Sequence, residues 1–192
     1  MKKFFSFFAM IILISLIGGC DKETPNKPDP NDNNGNTNPE YYVLYDGTYY
    51  AINKTVVYSI DQFTGFTQFT VFLAPPTVTY NSLMESLTGT GSGIRLTLWL
   101  PENATSIPSG IYNTPESPYI EIDDITNCAF LNNNATWNSY SSEGITSIPT
   151  GVLTVVNNSS EYTIDFEGFD EEGEEITAHY KGSIQIYEGI FK

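Results

Sequence analysis

The sequence predicts an all-β fold: an antiparallel β-sandwich or barrel-like domain with at most one short helix. Three observations predict it. From Tyr41 onward Tyr, Phe, Thr, Val and Ile dominate and alternate with polar residues, which is the period-2 pattern of half-buried strands. Turn signals cut this pattern at roughly 8–12-residue intervals, as sandwiches and barrels require. They are Asp46-Gly47, Thr64-Gly65, Pro75-Pro76, Pro101-Glu102-Asn103 and Asn157-Asn158. Finally, the chain has only two cysteines, so no disulfide framework or multi-cysteine zinc site can replace a core. About 150 residues follow the N-terminal segments, enough to build such a core in one domain.

In chain order the expected strands are Tyr41–Leu44, Thr48–Ile52, Val56–Ile60, Thr67–Ala74, Ile94–Leu100 and Ile111–Asn113. They continue with Tyr119–Ile122, Cys128–Leu131, Thr136–Tyr140, Gly151–Val156, Tyr162–Phe169 and Glu175–Tyr187. A single helical signal stands among them. Asn81–Leu87 contains Ser82-x-x-Glu85, a capping-box pattern, with Leu83, Met84 and Leu87 as an apolar side. The Gly89–Gly93 stretch is not a phosphate loop, because no lysine follows and no strand-to-helix context frames it. Thr105–Ile111 and Thr146–Val152 echo each other (TSIPSGI, TSIPTGV), and both lead into a strand. Two copies make no solenoid; a recurrent way of entering a strand accounts for them better than a duplicated hairpin.

The C-terminal hairpin is legible to the residue. Tyr162, Ile164 and Phe166 alternate with Thr163, Asp165 and Glu167, and Ile176, Ala178 and Tyr180 alternate with Thr177, His179 and Lys181. Glu171-Glu172-Gly173 suits a three-residue loop with a left-handed glycine, which pairs 170 with 174. Phe166 then faces Ala178 and Ile164 faces Tyr180 on the buried side, while Asp165 meets His179 and Thr163 meets Lys181 on the polar side. A slip of one residue would mix the faces.

The N-terminus precedes this domain in three zones. Lys2 and Lys3 supply positive charge, Phe4–Ile17 is apolar apart from Ser6 and Ser15, and Ile17-Gly18-Gly19-Cys20 ends the segment. This is the layout of a secretory signal, and the apolar run is shorter than the about 20 residues a spanning helix needs. The sequence Ile17-Gly-Gly-Cys20 resembles a bacterial lipobox. That resemblance implies cleavage before Cys20, diacylglycerol on its sulfur and acylation of the new amino group. Two or more chains anchor stably where one does not. The expected domains are therefore 1–19 as signal peptide, 20–39 as the lipidated cysteine with its spacer, and 40–192 as the β domain.

Asp21–Pro39 (DKETPNKPDPNDNNGNTNP) has no apolar side chain except proline, so it reads as a disordered spacer. A flexible chain of that length spans roughly 20–25 Å. Asp21-Lys22-Glu23 resembles the acidic surface-export signals of Bacteroidetes lipoproteins. The tail Gly151 … Tyr162-x-Ile-x-Phe166 … Asp170-x-x-Gly-x-x-Ile-x-Ala-x-Tyr-x-Gly182, taken with lipobox and spacer, resembles lipoproteins of gut-type Bacteroidetes. The resemblance covers both ends of the chain. It implies an all-β lipoprotein of the outer membrane or cell surface and supplies no catalytic residues.

Charge narrows the partners. The chain has 8 basic and 23 acidic residues, a formal net charge of −15 that becomes −17 once Lys2 and Lys3 are removed; Arg95 is its only arginine. Such a surface repels phosphate backbones and anionic lipid, so nucleic acid is excluded as a partner and the lipid alone must hold the membrane.

Candidate sites are few. His179, the only histidine, could be oriented by Asp165. No Gly-x-Ser-x-Gly elbow is present, and Cys128 sits in an apolar strand where a thiol is usually buried filler. The bland reading of His179–Asp165, a cross-strand polar pair, is preferred. Glu121, Asp123 and Asp124 form one acidic cluster, and Asp170 to Glu175 another. Asp170, Glu172 and Glu174 are the calcium candidates, though neither stretch matches an EF-hand and acidic hairpin tips are usually just solvated. No cofactor is expected. Asn133, Asn134, Trp137, Asn138 and Tyr140 form a possible glycan platform: amides serve sugar hydroxyls and aromatic rings stack on pyranose faces. Against it stands a turn followed by a strand with Trp137 in the core. Trp99, in a dense apolar run, is expected in the core.

The leading expectation is a lipid-anchored envelope lipoprotein whose noncatalytic β domain binds glycan or protein, or has a structural role. A small hydrolase using paired carboxylates is one alternative. An adhesin or fimbrial assembly component with an exposed uncharged edge strand is another.

Overall fold

The structure, a computed structural model, describes residues 39–188 apart from 64, 82–85, 117–118, 133–134, 136 and 138–143. It is all-β; no helix occurs among the described residues. The strands are β1 (Tyr42–Tyr45), β2 (Thr48–Ala51), β3 (Lys54–Phe63), β4 (Phe66–Ala74), β5 (Thr79–Asn81), β6 (Ser86–Thr88) and β7 (Gly93–Pro101). They continue as β8 (Gly110–Asn113), β9 (Ile125–Leu131), β10 (Ile145–Ser147), β11 (Thr150–Asn157), β12 (Tyr162–Phe169), β13 (Glu175–Gly182) and β14 (Ile184–Glu188).

Two six-stranded sheets form a sandwich. The front sheet runs β2-β1-β13-β12-β11-β8, and the back sheet runs β10-β9-β7-β4-β3-β14. Between these strands every pairing is antiparallel except β14 with β3, which makes the back sheet mixed. Three times the chain switches sheets through one or two residues: Ile52-Asn53, Ile148-Pro149 and Ser183. Such corners join the sheets at their edges. The Ile52 and Asn53 amides donate to the Tyr41 and Ala74 carbonyls, the Ile148 amide to the Cys128 carbonyl, and the Tyr180 hydroxyl to the Ser183 carbonyl.

The main core lies between the sheets. Leu153, Ile164 and Phe166 of the front strands join Phe69, Leu96 and Leu98 of the back strands in one buried cluster. A fully buried side chain of this size stabilises by about 1.5–3 kcal/mol. Cys128 belongs to this cluster. Burial pushes its thiol up to about 12, which keeps it neutral and unreactive, as core filler would be.

A second core covers the outer side of the back sheet. Val56, Tyr58 and Phe72, which point away from the main core, pack with Val78, Leu87 and Trp137. Double-sided burial explains why β4 is buried from Phe69 to Ala74 and β7 from Leu96 to Leu100. Front strands alternate instead: in β12 Tyr162, Ile164, Phe166 and Gly168 are buried and the residues between them are not.

Several expectations change here. Asn81–Leu87 does not form the expected helix along its described residues: β5 ends at Asn81, β6 begins at Ser86, and Tyr80 pairs with Leu87 in a hairpin. Its capping-box residues Ser82 and Glu85 lie outside the described residues. An extended hairpin sends Leu87 into the second core as well as a short helix would. Tyr119–Ile122 is no strand. The Asp124 amide donates to the Glu121 carbonyl, the Glu121 amide to the Asp124 carboxylate at 2.6 Å, and Asp123 has φ 71, so this segment turns tightly. Trp137 is likewise not in a strand.

The C-terminal hairpin matches its expectation. Phe166 pairs with Ala178, Ile164 with Tyr180, Asp165 with His179 and Thr163 with Lys181. The loop closes through the Asp170 amide on the Glu174 carbonyl, and Gly173 has φ +87. At the other hairpin of the front sheet, Asp46 and Gly47 both have positive φ between the paired Tyr45 and Thr48, the signature of a two-residue type I′ turn. The echoed segments enter β8 and β11, which pair with each other, and each buries its isoleucine, Ile107 and Ile148.

Candidate functional site: the outer face of the front sheet

Trp137 does not form a platform. It is 1% exposed, and its indole N–H donates to the Gly91 carbonyl at 3.1 Å. Its ring lies against Gly93, where an added Cβ would stand 2.5 Å from the ring and 2.3 Å from the Leu73 carbonyl. Only a bare backbone there admits the indole. The tryptophan therefore seals the second core and offers no ring face to a ligand. Its expected companions Asn133, Asn134, Asn138 and Tyr140 lie outside the described residues, as does Cys20.

The expected calcium residues are arranged for another purpose. Asp170 is 6% exposed. One carboxylate oxygen accepts the Glu172 and Glu174 amides at 2.9 Å each, and the other accepts the Tyr45 hydroxyl at 2.8 Å. Desolvation pushes this carboxyl up. The hydrogen bonds from Tyr45, Glu174, Glu172 and Gly173 outweigh it and hold the group below the usual carboxylate range. Asp170 thus ties the hairpin loop to β1. Glu172 and Glu174 are exposed, and among the described residues no three His, Cys, Asp or Glu side chains are grouped to hold a metal ion.

His179 and Asp165 do meet, with Nδ1 and Oδ1 2.6 Å apart. They stand on the outer face of the front sheet, so Cys128, inside the sandwich, has no part in this pair. Register extends the pair into a row. His179 lies opposite Tyr42 on β1, and Tyr42 opposite Ala51 on β2. The ring centroids of Tyr42 and His179 are 6.3 Å apart, and Tyr49 meets Tyr42 edge-on at 5.0 Å. Burial raises the Tyr42 phenol, and nearby Tyr49 and Asp165 raise it further, so it remains a neutral hydroxyl. At the end of the row Tyr41 packs on both His179 and Tyr180, at 6.3 and 5.7 Å.

The same face changes character toward β8. Ile111 is 64% exposed, Val152 41% and Val156 43%, and all three point outward on β8 and β11. Among the described residues the other exposed large apolar side chains are Phe169 at the end of β12 and Tyr119, Ile120 and Ile122, which follow β8. Between the aromatic and aliphatic ends stand Asp165 and Glu167, and Lys181 is paired with Glu161 at 3.2 Å.

Sequence reasoning found Asp165 and His179 but missed Tyr42 and Tyr49. Alternation within Tyr42–Tyr45 sets one face, yet only the pairing of β1 with β13 puts that face beside His179. Comparison with protein-family models, with curated proteins and with solved structures gives no match to this chain.

Proposed function

We propose that this chain is a bacterial lipoprotein, anchored in the outer membrane or at the cell surface through Cys20, whose noncatalytic β-sandwich presents the outer face of the front sheet to a glycan or protein partner of the envelope. The observation that carries this reading is the asymmetry of the two sheets. The back sheet is covered on its outer side by the chain's own second core. The front sheet keeps aromatic, ionisable and apolar side chains on its solvent side. Exposed apolar groups gathered on one face mark interaction surfaces. The lipobox and the spacer supply the anchor and the reach. The open face holds one histidine–carboxylate pair, His179 with Asp165, beside the Tyr42 ring.

Metabolic labelling with an alkyne fatty acid, comparing the natural chain with Cys20→Ser, tests the anchor. Label and membrane retention are expected for the natural chain and lost in the variant. Equal retention of both would sink the lipoprotein reading. Protease shaving of intact cells then separates a surface-facing domain from a periplasmic one.

A further inference from the structure

We propose that the row Asp165–His179–Tyr42, with Tyr49 at its side, is a binding site for an uncharged saccharide that rests on the Tyr42 ring. This rests on the front-sheet face being the binding face and names its ligand class.

A saccharide ring offers an apolar C–H face bordered by hydroxyls that both donate and accept. Its site needs an aromatic face with a donor and an acceptor at the rim. Tyr42 supplies the aromatic surface at a place with room beside it: Ala51, directly opposite on the edge strand, is exposed and projects only a methyl group. Tyr49, nearly perpendicular to Tyr42 at 73°, forms a wall on the same side. At the rim stand the imidazole of His179 and the carboxylate of Asp165, held together at 2.6 Å, with the Asp165 side chain still 54% exposed. Adjacent sugar hydroxyls can bridge such a pair, one donating to the carboxylate and its neighbour donating to the remaining imidazole nitrogen or accepting from a phenol. Because the pair and the rings sit on regular strands in fixed register, the site is formed before any ligand arrives.

Charge then selects among sugars. Asp165 and Glu167 point outward beside the site, on a chain with net charge −15. Sugars carrying carboxylates or sulfates are repelled. The uncharged saccharide asks for no charge to be displaced.

The test is calorimetric titration of the full lipidated chain in detergent micelles. The probes are neutral hexaoses of glucose, mannose, xylose and galactose, a galacturonic acid hexamer, and tetramethylammonium chloride. Saturable heat with a neutral hexaose is expected. Tyr42→Ala should weaken it about tenfold or more, and His179→Ala by a few-fold, while Tyr42→Phe keeps most of the affinity. Tyr49→Ala and His179→Ala carry the test if Tyr42→Ala does not fold, as read by circular dichroism. Three results would overturn the proposal: no heat with any neutral hexaose, affinity unchanged in the variants, or preference for the uronide or for tetramethylammonium. Because membrane retention through Cys20 is measured separately, a failed titration with retention intact removes the saccharide site and leaves the anchored domain standing.

Discussion

The two sheets share one core and treat their other faces in opposite ways. The outer side of the back sheet is closed by the β5–β6 hairpin and Trp137, and its central strands are buried along most of their length. The outer side of the front sheet carries Asp165, Ile111, Val152 and Val156 exposed, with Tyr42 and His179 half-buried among them. A sheet can be sealed with its own chain, and here one sheet is. Among the described residues no second core covers the other. Stability should be concentrated behind, and tolerance to substitution in front.

The sharpest way to break this contrast is Trp137→Ala. If the second core contributes as its burial implies, the substitution should cost about 3–5 kcal/mol in denaturant unfolding. A loss below about 1 kcal/mol would mean that the back face is not truly sealed. Gly168→Ala probes the shared core from the front. The new methyl would stand 2.8 Å from the Ile148 side chain, the Phe166 ring and the Thr150 carbonyl, so a cost of about 1–3 kcal/mol is expected.

Asp170→Asn comes next, because it loosens a single loop. Its melting temperature should fall by a few degrees. The pH dependence has a definite sign. A carboxyl held below its unfolded value adds stability above that value, and the gain is lost as pH falls through the lowered folded one. The natural chain should therefore lose stability on acidification more steeply than Asp170→Asn; parallel acid limbs would refute the role given to Asp170. The smallest effect is expected at His179→Ala, within about 0.2–1 kcal/mol, since exposed pairs contribute little. Were His179→Ala to destabilise as much as Trp137→Ala, the front face would be structural after all.

The same contrast explains what could be read without coordinates. Front strands have one wet face, so their side chains alternate and the register of Phe166 with Ala178 follows from the pattern alone. The central back strands have almost no wet face. Ile94 to Leu100 announces burial without saying what lies on the far side. The cover was harder to read: Leu83, Met84 and Leu87 suit a helical turn, yet Leu87 pairs with Tyr80 as a strand residue. Trp137 was ambiguous because its partner is the absence of a side chain at Gly93, far away in sequence. Tyr42 was missed because its neighbour His179 is reached only through strand order.

The pairing of β1 with β13 also has a consequence in time. The Tyr45 hydroxyl finds the Asp170 carboxylate across 125 residues of chain. Everything that holds β1 to its sheet, apart from the short turn to β2, is made late in the sequence. Closing so long a loop is slow, and it cannot begin until almost the whole chain is available. During synthesis, and during passage through any narrow pore, the first strand has no sheet partner but β2. Completion of the front sheet is thus a last event that follows delivery of the C-terminal hairpin, and a chain arrested short of β13 would have no finished face to display.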